Sequence, residues 1–138
     1  MNLQELQTMQ GYNLPIKVFI LNNDGYVSIK QTQEAYFSDN VSGVGPKNGV
    51  TLPNFTKLGR ALGISSIKIT KLSDLSSTNF LKMLNNNKSG IFEIVIDPNQ
   101  GFSPKLTSRK LDDGTMVSPS LDDMSPFLGK DELAKNIF

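Results

Sequence analysis

The run Ile16-Lys17-Val18-Phe19-Ile20-Leu21-Asn22-Asn23-Asp24-Gly25-Tyr26 carries the strongest structural signal in the chain. Its apolar part, Val18 to Leu21, is short, continuous rather than alternating, and contains β-branched residues, which predicts a strand covered on both faces in the middle of a parallel sheet. The run stops at two amides, an acid and a glycine. In open α/β sheets ligands bind just beyond the carboxyl ends of strands, so Asn22, Asn23, Asp24 and Gly25 mark the candidate site.

These residues offer side-chain and main-chain oxygens and no nucleophile. An Asn side-chain carbonyl with a backbone carbonyl two residues later is a pair of hard oxygen ligands suited to Mg²⁺, which takes one or two carboxylates, water and substrate phosphates besides. Gly25 allows the close approach or unusual backbone angles that such a loop needs. The same residues also make an ordinary polar turn, because Asn, Asp and Gly favour turns through local hydrogen bonding. Both readings stand on spacing alone.

Working outward, Asn2 with Glu5 three residues later has the form of a capping box, and Leu3, Leu6 and Met9 follow at near-helical spacing, predicting a helix over 3–10 that Gly11 ends. Asn13-Leu14-Pro15 then turns the chain into the strand. Beyond Gly25, the positions of Ile29, Thr32, Tyr36 and Phe37 predict a helix over 26–37. Residues 38–53 are broken by Gly43, Gly45, Pro46, Gly49 and Pro53 and read as a long loop, of the kind that edges an active site or a subunit contact.

Asn54 caps a helix carrying Phe55, Leu58, Ala61 and Leu62, which Gly63 terminates. Residues 64–69 read as a strand, Phe80, Leu81, Met83 and Leu84 as the apolar positions of a further helix, and residues 90–97 as a buried strand stopped by Pro98. This alternation argues for parallel βαβ units with right-handed crossovers. The pattern fades from Asn99. Asp112-Asp113-Gly114 is a tight-turn signal before Thr115-Met116-Val117, and the adjacent acids Asp122 and Asp123 read as solvated. The chain therefore divides into a domain over 1–98 and a tail over 99–138, whose Met124, Phe127, Leu128 and Leu133 are expected to pack on the domain or on a partner subunit.

Composition sets limits. A chain of 138 residues with a formal net charge of +1 and scattered charges is long enough for one domain with a core and lacks the electrostatic footprint of a nucleic-acid binder. It has no cysteine and no histidine, which excludes a disulfide framework, the common zinc sites and a local Ser-His or Cys-His pair. No apolar stretch approaches the roughly 20 residues that span a bilayer, and the expected compartment is the cytoplasm.

Asn22-Asn23-Asp24-Gly25-Tyr26 after an apolar strand, preceded by Met1-Asn2-Leu3-Gln4-Glu5-Leu6 and followed by Lys30-Gln31-Thr32-Gln33, resembles the second half of the thiamin-diphosphate motif, which runs from Gly-Asp-Gly to Asn-Asn. Through about residue 97 the chain resembles the carboxy-terminal cofactor-binding domain of the acetolactate synthase large-subunit family. The resemblance implies a three-layer α/β/α domain, Rossmann-like, with a mostly parallel sheet that is incomplete at its amino-terminal side. It implies that Asn23 and the Gly25 carbonyl bind Mg²⁺, which holds the diphosphate, and that Tyr26 and Val27 lie along the cofactor. Ser28, Ile29 and Thr32 become substrate-pocket candidates. Relatives carry Met at Ser28 and Trp at Thr32, so this pocket has room for a bulkier or more hydroxylated acceptor, whereas pyruvate decarboxylases carry Glu at Ile29.

The motif's Asp is expected a few residues before Met1, and the separate pyrimidine-binding domain, whose glutamate activates the cofactor, is expected elsewhere in a larger enzyme. The chain is thus expected to be a carboxy-terminal fragment, inactive alone, with no catalytic residue of its own, and to work with the missing amino-terminal domains in a homo-oligomer, a dimer or tetramer. The implied reaction is decarboxylation of a 2-oxo acid, commonly pyruvate, and transfer of the acyl carbanion to a second carbonyl. A decarboxylase or oxidase of the same cofactor class and a non-catalytic interaction module are the alternative expectations.

Overall fold

The computed structural model describes residues 2–37, 40–101 and 103–136; Met1 of the motif and Ser38 of the expected loop lie outside them. The chain forms two units, Met1–Asn99 and Gln100–Phe138. In the first, α1 (Leu3–Gly11), β1 (Lys17–Asn22), α2 (Val27–Phe37), α3 (Phe55–Ala61), β2 (Ser65–Ile69), α4 (Thr78–Asn85) and β3 (Gly90–Val95) follow in order, with 3₁₀ turns at Pro46–Asn48 and Leu72–Ser76. The strands make one parallel sheet in the order β1-β3-β2, with Lys17 opposite Gly90 and Ser65 opposite Gly90.

Alternation along β3 sends successive side chains to opposite faces. Ile91 joins Met9 of α1 and Ile64 in one buried cluster, flanked by Leu6, Val18, Ile20 and Leu62. Phe92 joins Ile69 and the α4 residues Phe80 and Met83 in the other. Helices therefore cover both faces of the sheet, giving the three layers expected. Phe92 is fully buried, worth about 2–3 kcal/mol for its apolar surface. Its ring meets Phe80 edge-on with centroids 5.4 Å apart.

The expectation of a central, doubly covered β1 is corrected. Among the described residues β3 is the middle strand and β1 an edge, hydrogen-bonded on one side only. Val18 and Ile20 reach the cluster beneath α1, while Phe19 and Leu21, on the opposite face, are 48% and 59% exposed. There the ring of Phe19 stacks on Phe92 at 4.8 Å, and α4 packs over β2 and β3 instead. An apolar run reports the affinity of a strand for cover, not the number of its neighbours.

Helix ends follow local chemistry in part. Asn54 accepts a hydrogen bond from the Lys57 amide at 2.8 Å, as a cap should, and Gly63 takes φ +74° after α3. Asn2, by contrast, makes no side-chain cap, so the capping box does not form. Nor does Gly11 end α1: the helix includes it, Tyr12 follows, and Asn13 adopts the left-handed φ of 52°. Within α3, a Cβ on Gly59 would lie 2.2 Å from Ser66 Oγ and 2.8 Å from Ile91 Cδ1. That glycine lets the helix backbone rest on the sheet.

In the second unit, β4 (Arg109–Lys110) and β5 (Met116–Val117) pair antiparallel around the turn at Asp112-Asp113-Gly114, with Gly114 at φ +85°. The Thr115 amide donates to Asp113 Oδ1 at 2.8 Å, and this bond holds the Asp113 carboxyl below its ordinary pKa. A short helix, α5 (Lys130–Asn136), closes the unit. No described helix is long and apolar enough to cross a membrane.

Candidate cofactor and metal site

The chain leaves the carboxyl end of β1 through two overlapping Asn turns. Asn22 Oδ1 accepts from the Asp24 amide at 3.0 Å, and Asn23 Oδ1 accepts from the Gly25 amide at 3.3 Å. These are the local bonds that make Asn a turn former. They leave Asp24 at φ +61°, a conformation that a residue other than glycine holds only when its surroundings fix it.

Gly25 is required by a neighbour rather than by its own φ. The Tyr26 amide donates to the Val44 carbonyl at 2.8 Å, and a Cβ on Gly25 would lie 2.2 Å from that same oxygen. The Val44 segment is itself built. Asn48 Oδ1 accepts from the amides of Val44 at 3.0 Å and Gly45 at 2.8 Å, and Asn48 Nδ2 donates to the Val41 carbonyl at 3.1 Å. The described part of the long loop is thus an ordered wall that buries Val44.

Between this wall and the turn lies a cleft of about 400 Å³, lined among others by Asn23, Gly25, Val27, Lys30, Lys47 and Asn99. Lys30 Nζ donates to Asn99 Oδ1 at 3.3 Å and lies 3.7 Å from Glu34 Oε1. The structure therefore brings Asn23, Gly25 and Val27 together at one cleft. Tyr26, Ser28, Ile29 and Thr32 do not line it. They are exposed on or just before the first turns of α2, and the Thr32 hydroxyl donates back to the Ser28 carbonyl at 3.0 Å.

The donor chemistry fits a hard cation held through a phosphate group. The Asn23 side-chain oxygen uses one lone pair on the Gly25 amide and keeps a second. Among the described residues no hydrogen bond is donated to the Gly25 carbonyl. Two such neutral oxygens suit part of a Mg²⁺ shell, of the kind that carboxylate, water and substrate phosphate complete. Among the described residues, this site included, no three His, Cys, Asp or Glu side chains gather so as to hold a metal ion.

Sequence reading missed Glu93. It is 1% exposed in β3, accepts from Asn22 Nδ2 at 2.8 Å and lies 3.1 Å from Lys68 Nζ. The available signal was an acid inside the run Ile91-Phe92-Glu93-Ile94-Val95.

A parallel sheet covered on both faces, with an oxygen-bearing loop beyond the carboxyl end of a strand, defines an α/β cofactor-binding domain. Residues 1–94 match the family described as thiamine pyrophosphate enzyme, C-terminal TPP binding domain, and the chain belongs to that family. It is 40% identical over 70 residues to the acetolactate synthase large subunit of Parasynechococcus marenigrum (strain WH8102), covering 51% of this chain and 11% of that protein. It is 27% identical over 112 residues to the chloroplastic acetolactate synthase 2 of Nicotiana tabacum, covering 78% of this chain and 17% of that protein. The chain thus spans 11% and 17% of the length of these two relatives. Among solved structures, the thiamine diphosphate-dependent 4-hydroxybenzoylformate decarboxylase of Rhodococcus jostii RHA1 is similar with a TM-score of 0.60 at 18% identity, over 72% of this chain and 18% of that one. Benzoylformate decarboxylase from Polynucleobacter necessarius is similar with a TM-score of 0.59 at 23% identity, over the same shares. At these identities the two structures speak for the fold alone.

Proposed function

We propose that the chain is the diphosphate-holding part of a thiamin-diphosphate- and Mg²⁺-dependent enzyme of the acetolactate synthase type, which decarboxylates a 2-oxo acid such as pyruvate and joins the acyl group to a second carbonyl. The observation that carries this reading is the turn after β1. Asn23 Oδ1 accepts from the Gly25 amide at 3.3 Å, so the side-chain oxygen of one residue and the carbonyl of the other belong to one turn beyond the strand.

When bound, the cofactor supplies the electron sink for decarboxylation. The chain's own residues position it. Asn23 and the Gly25 carbonyl hold Mg²⁺, Val27 and Tyr26 lie along the cofactor, and none of these groups moves a proton. Ser28, Ile29 and Thr32 line the acceptor side of a pocket completed by other segments of the larger enzyme. Exposed apolar side chains on the first unit, Phe19, Leu21, Tyr36 and Phe37, are the surface for those segments and for a second copy. Residues 1–138 by themselves are inactive on this reading.

The test is product analysis on the full-length polypeptide with labelled pyruvate, Mg²⁺ and thiamin diphosphate, with and without a second keto acid or a keto sugar. Carbon dioxide release together with an acceptor-dependent carbon–carbon product supports the proposal. Free aldehyde as the product whether or not an acceptor is present contradicts it and assigns a simple decarboxylase.

A further inference from the structure

Glu93 is a buried acid with an unusual allocation of partners. It stands opposite Ile20 of β1 and Lys68 of β2 in the sheet register. Both donors that reach it, Lys68 Nζ at 3.1 Å and Asn22 Nδ2 at 2.8 Å, converge on Oε1. Oε2 is buried without a hydrogen-bond partner among the described residues. A carboxylate in a core is costly to desolvate, and an apolar residue of similar size usually serves packing better. A buried, half-satisfied acid therefore calls for an explanation beyond packing.

Asn22 supplies that explanation. Its amide is used at both ends: Nδ2 donates to Glu93 Oε1, and Oδ1 accepts from the Asp24 amide at 3.0 Å. With Nδ2 tied to the carboxylate, the side chain cannot flip, and its oxygen stays directed at the amide of the left-handed Asp24 (φ +61°). The next residue along is Gly25. We propose that Glu93 is a positioning residue for the cofactor loop, acting through Asn22 to hold the turn that presents the oxygens of Asn23 and Gly25. This rests on the assignment of that loop under the proposed function. Lys68, with its side chain 47% exposed, pairs with the same carboxylate oxygen from the strand on the other side.

Three variants of the full-length polypeptide test the link. Glu93→Asp keeps the charge but withdraws the carboxylate by one methylene, beyond reach of Asn22. Asn22→Asp keeps the acceptor for the Asp24 amide but sets two carboxylates against each other. Asn22→Asp/Glu93→Gln restores the pair with donor and acceptor exchanged. Hydrogen exchange of the amides of residues 24–26, without ligand, is expected to accelerate about tenfold in each single variant and to return within about threefold of wild type in the double variant, while the β3 amides stay protected. The apparent Kd of Mg²⁺ with thiamin diphosphate follows the same order. Unchanged exchange in Glu93→Asp, or a double variant no better protected than Asn22→Asp, overturns the proposal. Asn23→Ala is the separate arm for the cofactor assignment. It leaves the Glu93–Asn22 link intact, so loss of that assignment is distinguishable from loss of the link.

Discussion

Replacing Gly25 by Ala tests the packing of the site without any ligand. The added Cβ would lie 2.2 Å from the Val44 carbonyl oxygen, 3.2 Å from the Val44 carbonyl carbon and 3.3 Å from Gly45 Cα. The first contact is roughly 1 Å inside van der Waals distance, and every obstructing atom is backbone, so no side chain can rotate away. The loop must retreat, and with it goes the 2.8 Å bond from the Tyr26 amide to Val44. Overpacking of this kind costs about 1–3 kcal/mol and the lost bond about 1 kcal/mol, giving a destabilisation of about 2–4 kcal/mol. Equilibrium urea unfolding with an unchanged m-value reads it directly. Gly45→Ala is the control, because its nearest neighbour, the Asp24 carbonyl oxygen, is at 3.5 Å. It should stay within about 0.5 kcal/mol of wild type. A Gly25→Ala variant as stable as wild type, or one no worse than Gly45→Ala, would mean that the Val44 backbone does not require glycine at 25.

Gly59→Ala pushes a Cβ to 2.2 Å from Ser66 Oγ and 2.8 Å from Ile91 Cδ1, and should cost about 1–3 kcal/mol. Ser66→Ala in the same chain should recover part of that loss, which a double-mutant cycle of urea midpoints measures. Asp74 accepts from the Thr70 and Lys71 amides at 2.9 and 3.2 Å, and its carboxyl is held below the ordinary range first by the Thr70 amide bond. A depressed folded-state pKa gives stability that is full above the ordinary carboxylate pKa and is lost as pH falls through the lowered one. Asp74→Asn should therefore lower the Tm at neutral pH, and the difference should shrink in acid below that range.

Several elements were readable because the forces that make them are local. The Asn54 cap spans three residues, the left-handed Gly63 comes one residue beyond the Leu62 cap of its helix, and the turn at Asp112-Asp113-Gly114 is set by its own side chains. The turns of Asn22 and Asn23 each close over two residues, so the candidate loop was visible in the sequence as a loop. What was not visible depends on partners far along the chain. The edge position of β1 depends on which strand lies between it and β2, and that strand, β3, arrives last. The Asn22–Glu93 bond joins residues 71 apart. The need for glycine at 25 and 59 comes from Val44 in one case and from Ser66 and Ile91 in the other. Asn2 shows the reverse error: the residue types of a capping box are present, but its side-chain bond is not made.

On the proposed function, Asn23 and Gly25 hold Mg²⁺ and, through it, the cofactor's diphosphate. Calorimetric titration of thiamin diphosphate into the full-length polypeptide, across a series of Mg²⁺ concentrations, tests it most directly. Asn23→Ala should weaken Mg²⁺-dependent binding by at least about tenfold, while Asp24→Ala, whose side chain is not among the proposed ligands, should change it far less. Equal affinities for wild type and Asn23→Ala at every Mg²⁺ concentration would remove Asn23 from the Mg²⁺ site.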